Sequence, residues 1–321
     1  MDINRLLEDI KSASPKKVII DTDAFNEVDD QFAIAFALSC PSLEVLSINA
    51  APFFNGNSTS YGDGMERSYL EIKRVLAAYK DDCDIPVYRG SCEEIEKNGG
   101  KPVESPAAEN IIKTARESAE PVFVLGLGAA TNIASAIMLA PDIKEKIVVV
   151  WLGGNSLDNP GLGEFNLVQD YTAGQVLLDS GVPLVLCPAW NVTCVLYCPM
   201  TEIRENLEGK SQVCELLWQL ICEFHRNAGS PDGYGRTIWD VAAPAILAAP
   251  NCGSYRVIPA PIFSDERIYK FDDSRHDIIY LEKLDRDEVF RHVWKGIASL
   301  ECTGKYLPRS TVTDALENKE A

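Results

Sequence analysis

Asp21, Asp23, Glu27, Asp29 and Asp30 share one ten-residue stretch, Asp21-Thr22-Asp23-Ala24-Phe25-Asn26-Glu27-Val28-Asp29-Asp30. Carboxylates this close repel one another unless a cation or protons neutralise them. A hard divalent cation, Ca²⁺ or Mg²⁺, takes oxygen ligands of this kind, and an ionised carboxylate beside it can accept a proton from water. A single Asp in a turn is more simply a cap for free backbone N–H groups. Two that close one apolar run and two that open the next exceed what capping needs. The stretch therefore points to a metal or catalytic site.

Four further groups carry side chains suited to a site: Gly128-Ala129-Ala130-Thr131-Asn132, Gly153-Gly154-Asn155, Glu164-Phe165-Asn166 and Thr237-Ile238-Trp239-Asp240. Taken alone, the first reads as a turn with a helix N-cap, the second as a chain reversal, and the fourth as a core aromatic beside an N-cap. In the third, strand-like alternation places Glu164 and Asn166 on one side, which suits hydrogen bonding to a polyol and equally an exposed loop.

The elements that must hold these residues follow from the apolar pattern. Lys17-Val18-Ile19-Ile20 reads as a buried strand before Asp21, and Phe32-Ala33-Ile34-Ala35-Phe36-Ala37-Leu38 as a buried helix after Asp30. Apolar, β-branched runs at 43–48, 121–127, 146–152 and 183–187 alternate with helical patterns at 66–78, 107–118, 132–139 and 171–179. This predicts an α/β fold: an open, doubly wound, mostly parallel sheet with helices on both faces and a more helical C-terminal third. Such sheets bind ligands beyond the C-terminal ends of their strands. The polar groups fall just after strands, with Trp239-Asp240 heading an apolar helix over 241–248, and this joint placement says more than any one group.

The 321 residues, 46% hydrophobic and 24% charged with no repeat or linker-like tract, fit one domain over 1–321. It would begin with a helix within 1–16 and end in a polar, frayed tail over 311–321. A net charge of −18 argues against nucleic acid and anionic membrane as partners. The acidic, amphipathic N-terminus lacks the apolar core of a signal peptide, and no apolar run reaches the roughly 20 residues of a membrane span, so a cytoplasmic protein is expected. The ten Cys form no C-x-x-C pair and read as free thiols, most of them small buried hydrophobes. Cys194 and Cys198 lack a matching pair and a nearby His, so a zinc site is not expected. His225, His276 and His292 lie outside the motifs and read as structural, with His225 at a helix end.

Found in this order, the motifs Asp21-Thr22-Asp23…Asp29-Asp30, Gly128-Ala129-Ala130-Thr131-Asn132, Leu152-Gly153-Gly154, Glu164-Phe165-Asn166 with Asp170, and Trp239-Asp240 resemble those of the inosine–uridine nucleoside hydrolases, the calcium-dependent N-ribohydrolases. The resemblance runs from about residue 17 to 294. It implies hydrolysis of the bond between ribose C1′ and a nucleobase nitrogen through an oxocarbenium-like transition state. The cofactor would be Ca²⁺, with Mg²⁺ the alternative, the partner a small nucleoside, and the assembly a homodimer or homotetramer. Asp23 would be metal ligand and general base, Asp30 and Asp240 carboxylate ligands, and the Leu127 carbonyl a further ligand. Asp29, Glu164 and Asn166 would hold the sugar, with Asn159, from the 155–159 loop, and Asn55 as further candidates. Tyr234 and Arg236, in a segment over 227–236 that resembles a mobile flap, would contact the base. Asp21 would orient the water or a ligand.

Besides the absence of His225, His276 and His292 from the motifs, the chain departs from the family pattern in two places that matter. Five residues, 24–28, separate Asp23 from the Asp pair where the family has three. The loop can bulge away and leave the metal site intact, which is the reading preferred here, and entry of Asn26 or Glu27 into the sugar pocket stays open. Trp239 stands where many pyrimidine-cleaving or nonspecific members have His. An indole cannot protonate a leaving base, but it stacks well on a purine, as in the purine-specific members, so a purine nucleoside is expected and Trp239 is counted with the catalytic residues. Two other readings remain: a nucleoside- or ribose-binding protein that keeps the fold and ion but has lost turnover, and a Mg²⁺-dependent phosphohydrolase with Asp21 as nucleophile. The absence of a basic residue suited to phosphate near these motifs weighs against the second.

Overall fold

The computed structural model describes residues 2–12, 14–80, 83–159, 161–227, 229, 234–249, 251–300, 302–305 and 307–320. In chain order its first half runs α1 (Ile3–Ile10), β1 (Lys16–Thr22), α2 (Asp30–Ser39), β2 (Leu43–Ala50), α3 (Tyr61–Tyr79), β3 (Val87–Tyr88), α4 (Pro106–Glu117), β4 (Val122–Gly126), α5 (Thr131–Leu139) and β5 (Ile147–Leu152). The second half runs α6 (Phe165–Gln169), α7 (Tyr171–Asp179), β6 (Leu184–Cys187), β7 (Tyr197–Cys198), α8 (Met200–Leu207), α9 (Gln212–Asn227), β8 (Arg236–Thr237), α10 (Ala242–Ala248), β9 (Gly253–Pro259), β10 (Ile262–Phe263), β11 (Tyr269–Lys270), β12 (Asp277–Leu284), α11 (Arg286–Ser299) and α12 (Ser310–Glu320).

Eight strands form one sheet in the order β3-β2-β1-β4-β5-β6-β12-β9, parallel except for β9, which runs antiparallel to β12. The reversal of direction around β1 is the switch point at which doubly wound sheets bind ligands. Alternation within each strand feeds two cores. Val18 and Ile20 of β1, Phe123 and Leu125 of β4, and Val148 and Val150 of β5 face one. Ile19, Val122, Val124, Val149 and Trp151 face the other. Register sets the strand ends level, with Asp21 opposite Asn49 of β2 and Gly126 of β4, and Gly126 opposite Trp151 of β5.

The alternating elements expected from the apolar pattern form, and the structure departs from the sequence reading in four places. Residues 164–166 are not a strand: Glu164 caps α6, whose first two residues are Phe165 and Asn166. Thr131 and Asn132 do not cap α5, whose Ncap is Ala130 with no side-chain bond. Their side chains reach Asp170 and Asp21 instead. The C-terminal third adds β12 to the sheet between β6 and β9. Residues 310–320 form α12 rather than a frayed tail, with Val312 buried against Phe25 and Phe53. Among the described residues no helix is long and apolar enough to cross a membrane, and all ten cysteines are free thiols.

Candidate active site

A cavity of about 360 Å³ opens at the C-terminal ends of β1, β4 and β5. Its lining carries carboxylates and an amide, from Asp23, Asp29, Asp30, Asp240, Glu164 and Asn166. It also carries three aromatic rings, Trp190, Trp239 and Phe165. The two indoles meet edge to face, with centroids 5.4 Å apart.

The chain leaves β1 at Thr22, turns through 23–28 and enters α2 at Asp30, so the acidic stretch wraps the strand end. Asp23, Asp29, Asp30 and Asp240 are all buried. Asp29, Asp30 and Asp240 each offer an oxygen within 4.8 Å of the others. Asp240 arrives from a 3-10 turn, Trp239–Val241, placed by β7–β8 pairing and by the Trp239 N–H, which donates to Asp29 Oδ2 at 3.0 Å. The Thr22 hydroxyl donates to Asp30. Gly128 lets Asp23 sit where it does, since a Cβ there would lie 2.9 Å from the Asp23 Cγ.

Burial raises every one of these carboxyls, and neighbouring negative charge adds to it. Asp29 is pushed up to about 7 by burial and then by Asp30. Asp30 reaches about 6, with the Thr22 hydroxyl bond opposing the rise. Burial, then Asp30, Asp29 and other acids, hold Asp23 and Asp240 well above the carboxylate range. Asp23 Oδ2 is buried without a hydrogen-bond partner. An all-oxygen donor set that is rich in carboxylates, buried and partly unpartnered fits a hard divalent cation, which would restore these groups to their ionised forms.

The other candidates fall at different distances from this centre. Glu164 lines the cavity, yet its carboxylate already accepts the N–H groups of Gly154, Asn166 and Leu167 at 2.8–2.9 Å. Burial pushes it to about 7. The Asn166 amide donates to the carbonyls of Leu127 (2.7 Å) and Leu152 (3.0 Å), both residues of the cavity lining, and each carbonyl keeps a second lone pair. Asn26 and Glu27 both line the cavity, so the longer loop does enter it. Asn55 lies behind, donating to Asn26 Oδ1. Arg236 lines the cavity, ion-paired with Glu27 and stacked 4.7 Å from the Phe224 ring centroid. Tyr234 is 59% exposed and lies outside the lining. Asn159 also lies outside it, with its side chain bonded to the Gly161 N–H. Of the flap-like segment over 227–236, residues 228 and 230–233 lie outside the described residues. Asp21 stands one layer back, held by Asn132 Nδ2 at 3.0 Å, and burial raises it to about 7. Asp170 ties Ile95, Thr131 and α7 together. No histidine lines the cavity among the described residues.

Sequence reasoning missed Trp190 and Phe165. Trp190 follows β6 by three residues, so the strand-end rule could have found it. Phe165 is exposed by the helical start at 164, which alternation misread.

The sequence model of the inosine-uridine preferring nucleoside hydrolases matches residues 18–301. The pyrimidine-specific ribonucleoside hydrolase RihA of Salmonella paratyphi B is 30% identical over 193 residues, and that of Salmonella typhimurium is equally similar. These alignments cover 53% of this chain, and the chain spans only 58% of the length of these relatives. Among solved structures, a purine-preferring ribonucleoside hydrolase from Gardnerella vaginalis superposes with a TM-score of 0.73 at 21% identity, covering 89% of this chain and 99% of its own. The plant nucleoside hydrolase PpNRh1 gives 0.71 at 20%, with the same coverage. These low-identity matches carry the fold, while the sequence model spans the acidic loop, the strand ends and Trp239-Asp240 together. The chain belongs to the inosine-uridine preferring nucleoside hydrolase family.

Proposed function

We propose that the protein hydrolyses the N-glycosidic bond of a purine ribonucleoside to free base and ribose, with Ca²⁺ held by Asp23, Asp30, Asp240 and the Leu127 carbonyl. The observation that carries the reading is one cavity lined both by buried acids, with an unpartnered Asp23 oxygen among them, and by two indoles. When bound, the ion would acidify a water and orient the sugar diol.

The chain's own residues supply the rest. Asp23 accepts the water's proton at its free oxygen, Oδ2. Asp29 and Asn166 hold sugar hydroxyls, and Glu164, already committed to three N–H groups, presents a fixed negative edge to the sugar. Positive charge grows on the ribose as the bond breaks, and this acidic wall favours it in a water-poor site. Trp239 and Trp190, packed edge to face on each other, offer aromatic surface to the base, which favours a bicyclic ring. Asp21 sets the local field from behind the ligands. Homodimeric or homotetrameric assembly and a cytoplasmic site of action belong to the same proposal, the second supported by ten free thiols.

The names of the relatives divide on the base, pyrimidine for the partial sequence matches and purine for one structural match. Ribose release from inosine, guanosine, adenosine, uridine and cytidine, with Ca²⁺ and after EDTA, decides it. EDTA-sensitive release from purines alone is expected. Equal release from uridine would refute the role given to the indoles, and no release from any nucleoside would favour a binding protein that keeps the site without turnover.

A further inference from the structure

Residues 302–320 lie beyond the family match, yet they reach the catalytic loop. Three consecutive carbonyls in that loop are each held by a side chain from outside it. Ala24 O accepts from Gln31 Nε2 at 2.5 Å, Phe25 O from Arg309 Nη2 at 3.2 Å, and Asn26 O from Asn57 Nδ2 at 2.8 Å. Two of these three supports lead to the C-terminal segment. Gln31 Nε2 also donates to Glu71 Oε1 at 2.9 Å. Glu71 is bonded twice by Arg74 at 2.6–2.7 Å, and Arg74 Nη1 donates to the Leu307 carbonyl at 2.9 Å. Gln31, Glu71 and Arg74 are buried, so the bonds that join these three are shielded from water, while the last link, to Leu307, is half-buried. Arg309 additionally lies 4.2 Å from the centroid of the Phe25 ring, which packs on Phe53 and Val312 of α12.

Phe25 is two residues from Asp23 and one from Asn26, and this loop is the one with two residues more than the family pattern. A longer loop has more conformations to lose, and a carboxylate at its start is placed only as well as the loop is. We infer that the 307–312 segment is part of the catalytic apparatus, with Arg309 a positioning residue that acts through Phe25 to fix Asp23, Asn26 and Glu27. The extra residues in the loop and the extra segment at the C-terminus form one device, and the role of Asp23 within it rests on the proposed activity.

The test compares Arg309→Met, which keeps the aliphatic length, with Arg309→Lys, which keeps the charge and a donor. Amide hydrogen exchange over 24–28 is read beside nucleoside hydrolysis. Arg309→Met is expected to raise exchange in 24–28 while α2 and the sheet stay protected, and to lower kcat/KM about tenfold, mostly through kcat. Arg309→Lys is expected to recover most of both. A Phe25→Leu background should shrink the effect of Arg309→Met on kcat/KM to below about twofold. Unchanged exchange in Arg309→Met overturns the clamp whatever the activity. Raised exchange with unchanged kcat/KM overturns the positioning role. A wild-type protein with no hydrolysis refutes the functional reading alone, because the exchange measurement still judges the clamp.

Discussion

Replacing Gly128 by Ala tests how closely Asp23 must be placed. The new Cβ would stand 2.9 Å from Asp23 Cγ, 3.0 Å from Oδ1 and 3.1 Å from its Cβ. Relaxed heavy-atom contacts lie at ~3.5–4.0 Å, so the carboxylate must withdraw by roughly 0.5–1 Å. It has little room, since Asp23 is 1% exposed and flanked by Asp29 and Asp30. Misplacing a reacting group by about 1 Å costs about 10²-fold in rate. Overpacking of this kind costs about 1–3 kcal/mol of stability. The two readouts are kcat/KM for ribose release and the unfolding free energy in urea. The variant should lose about 10- to 100-fold in kcat/KM and remain folded. A stability cycle with Asp23→Ala isolates the cause, because that change removes Cγ and both oxygens. Gly128→Ala should then cost clearly less stability than in the wild type. An equal cost in both backgrounds, or a kcat/KM within threefold of wild type, would refute the idea that the missing Cβ is what seats Asp23.

Four further outcomes are expected. Thr22→Val keeps the side-chain shape but removes the hydroxyl that supports Asp30, and Ca²⁺ affinity measured by calorimetry should fall about 10- to 100-fold; unchanged affinity would separate Asp30 from the metal. Trp190→Ala, at a half-exposed residue, should leave Tm nearly unchanged and lower kcat/KM for inosine about tenfold; the same loss for uridine would deny selective stacking. In EDTA, stability should fall as pH rises from about 4 to about 7: Asp21, Asp29 and Glu164 are raised to about 7 when folded, so the native state binds more protons than the unfolded chain in that window. A Tm in EDTA that climbs across that window would contradict the raised carboxyls. Added Ca²⁺ should raise Tm more at pH 7.5 than at pH 5, because protons compete for the same oxygens; a larger rise at pH 5 would speak against carboxylate ligation.

The sheet was legible because its strands are apolar on both faces, a pattern set by local sequence and echoed in the alternation of Ile19 against Val18 and Ile20 between two cores. The acidic loop was legible because repulsion among clustered carboxylates is itself a local signal. Legibility failed where a residue's partner is distant in sequence. Glu164 looked like one tooth of a strand, and its place is fixed partly by the Gly154 N–H, ten residues earlier. Asn132 looked like a cap, and its partner Asp21 lies 111 residues away. Asp240 could be joined to Asp30 only through family resemblance, since it stands alone in its motif and Asp30 lies far away in sequence. The segment over 311–321 is polar, with few apolar residues to announce a helix, and α12 is decided by what Val312 and Arg309 meet across the fold. The misreadings of Glu164 and Asn132 share a cause: each holds a group, the Gly154 N–H or Asp21, that its neighbours in sequence do not announce. Local sequence rules describe how a chain satisfies itself, whereas a site forces buried acids together and must be held by bonds from elsewhere. A residue whose local role is left unfilled is thus a pointer to the group it holds, as Asn132, which does not cap α5, points to Asp21.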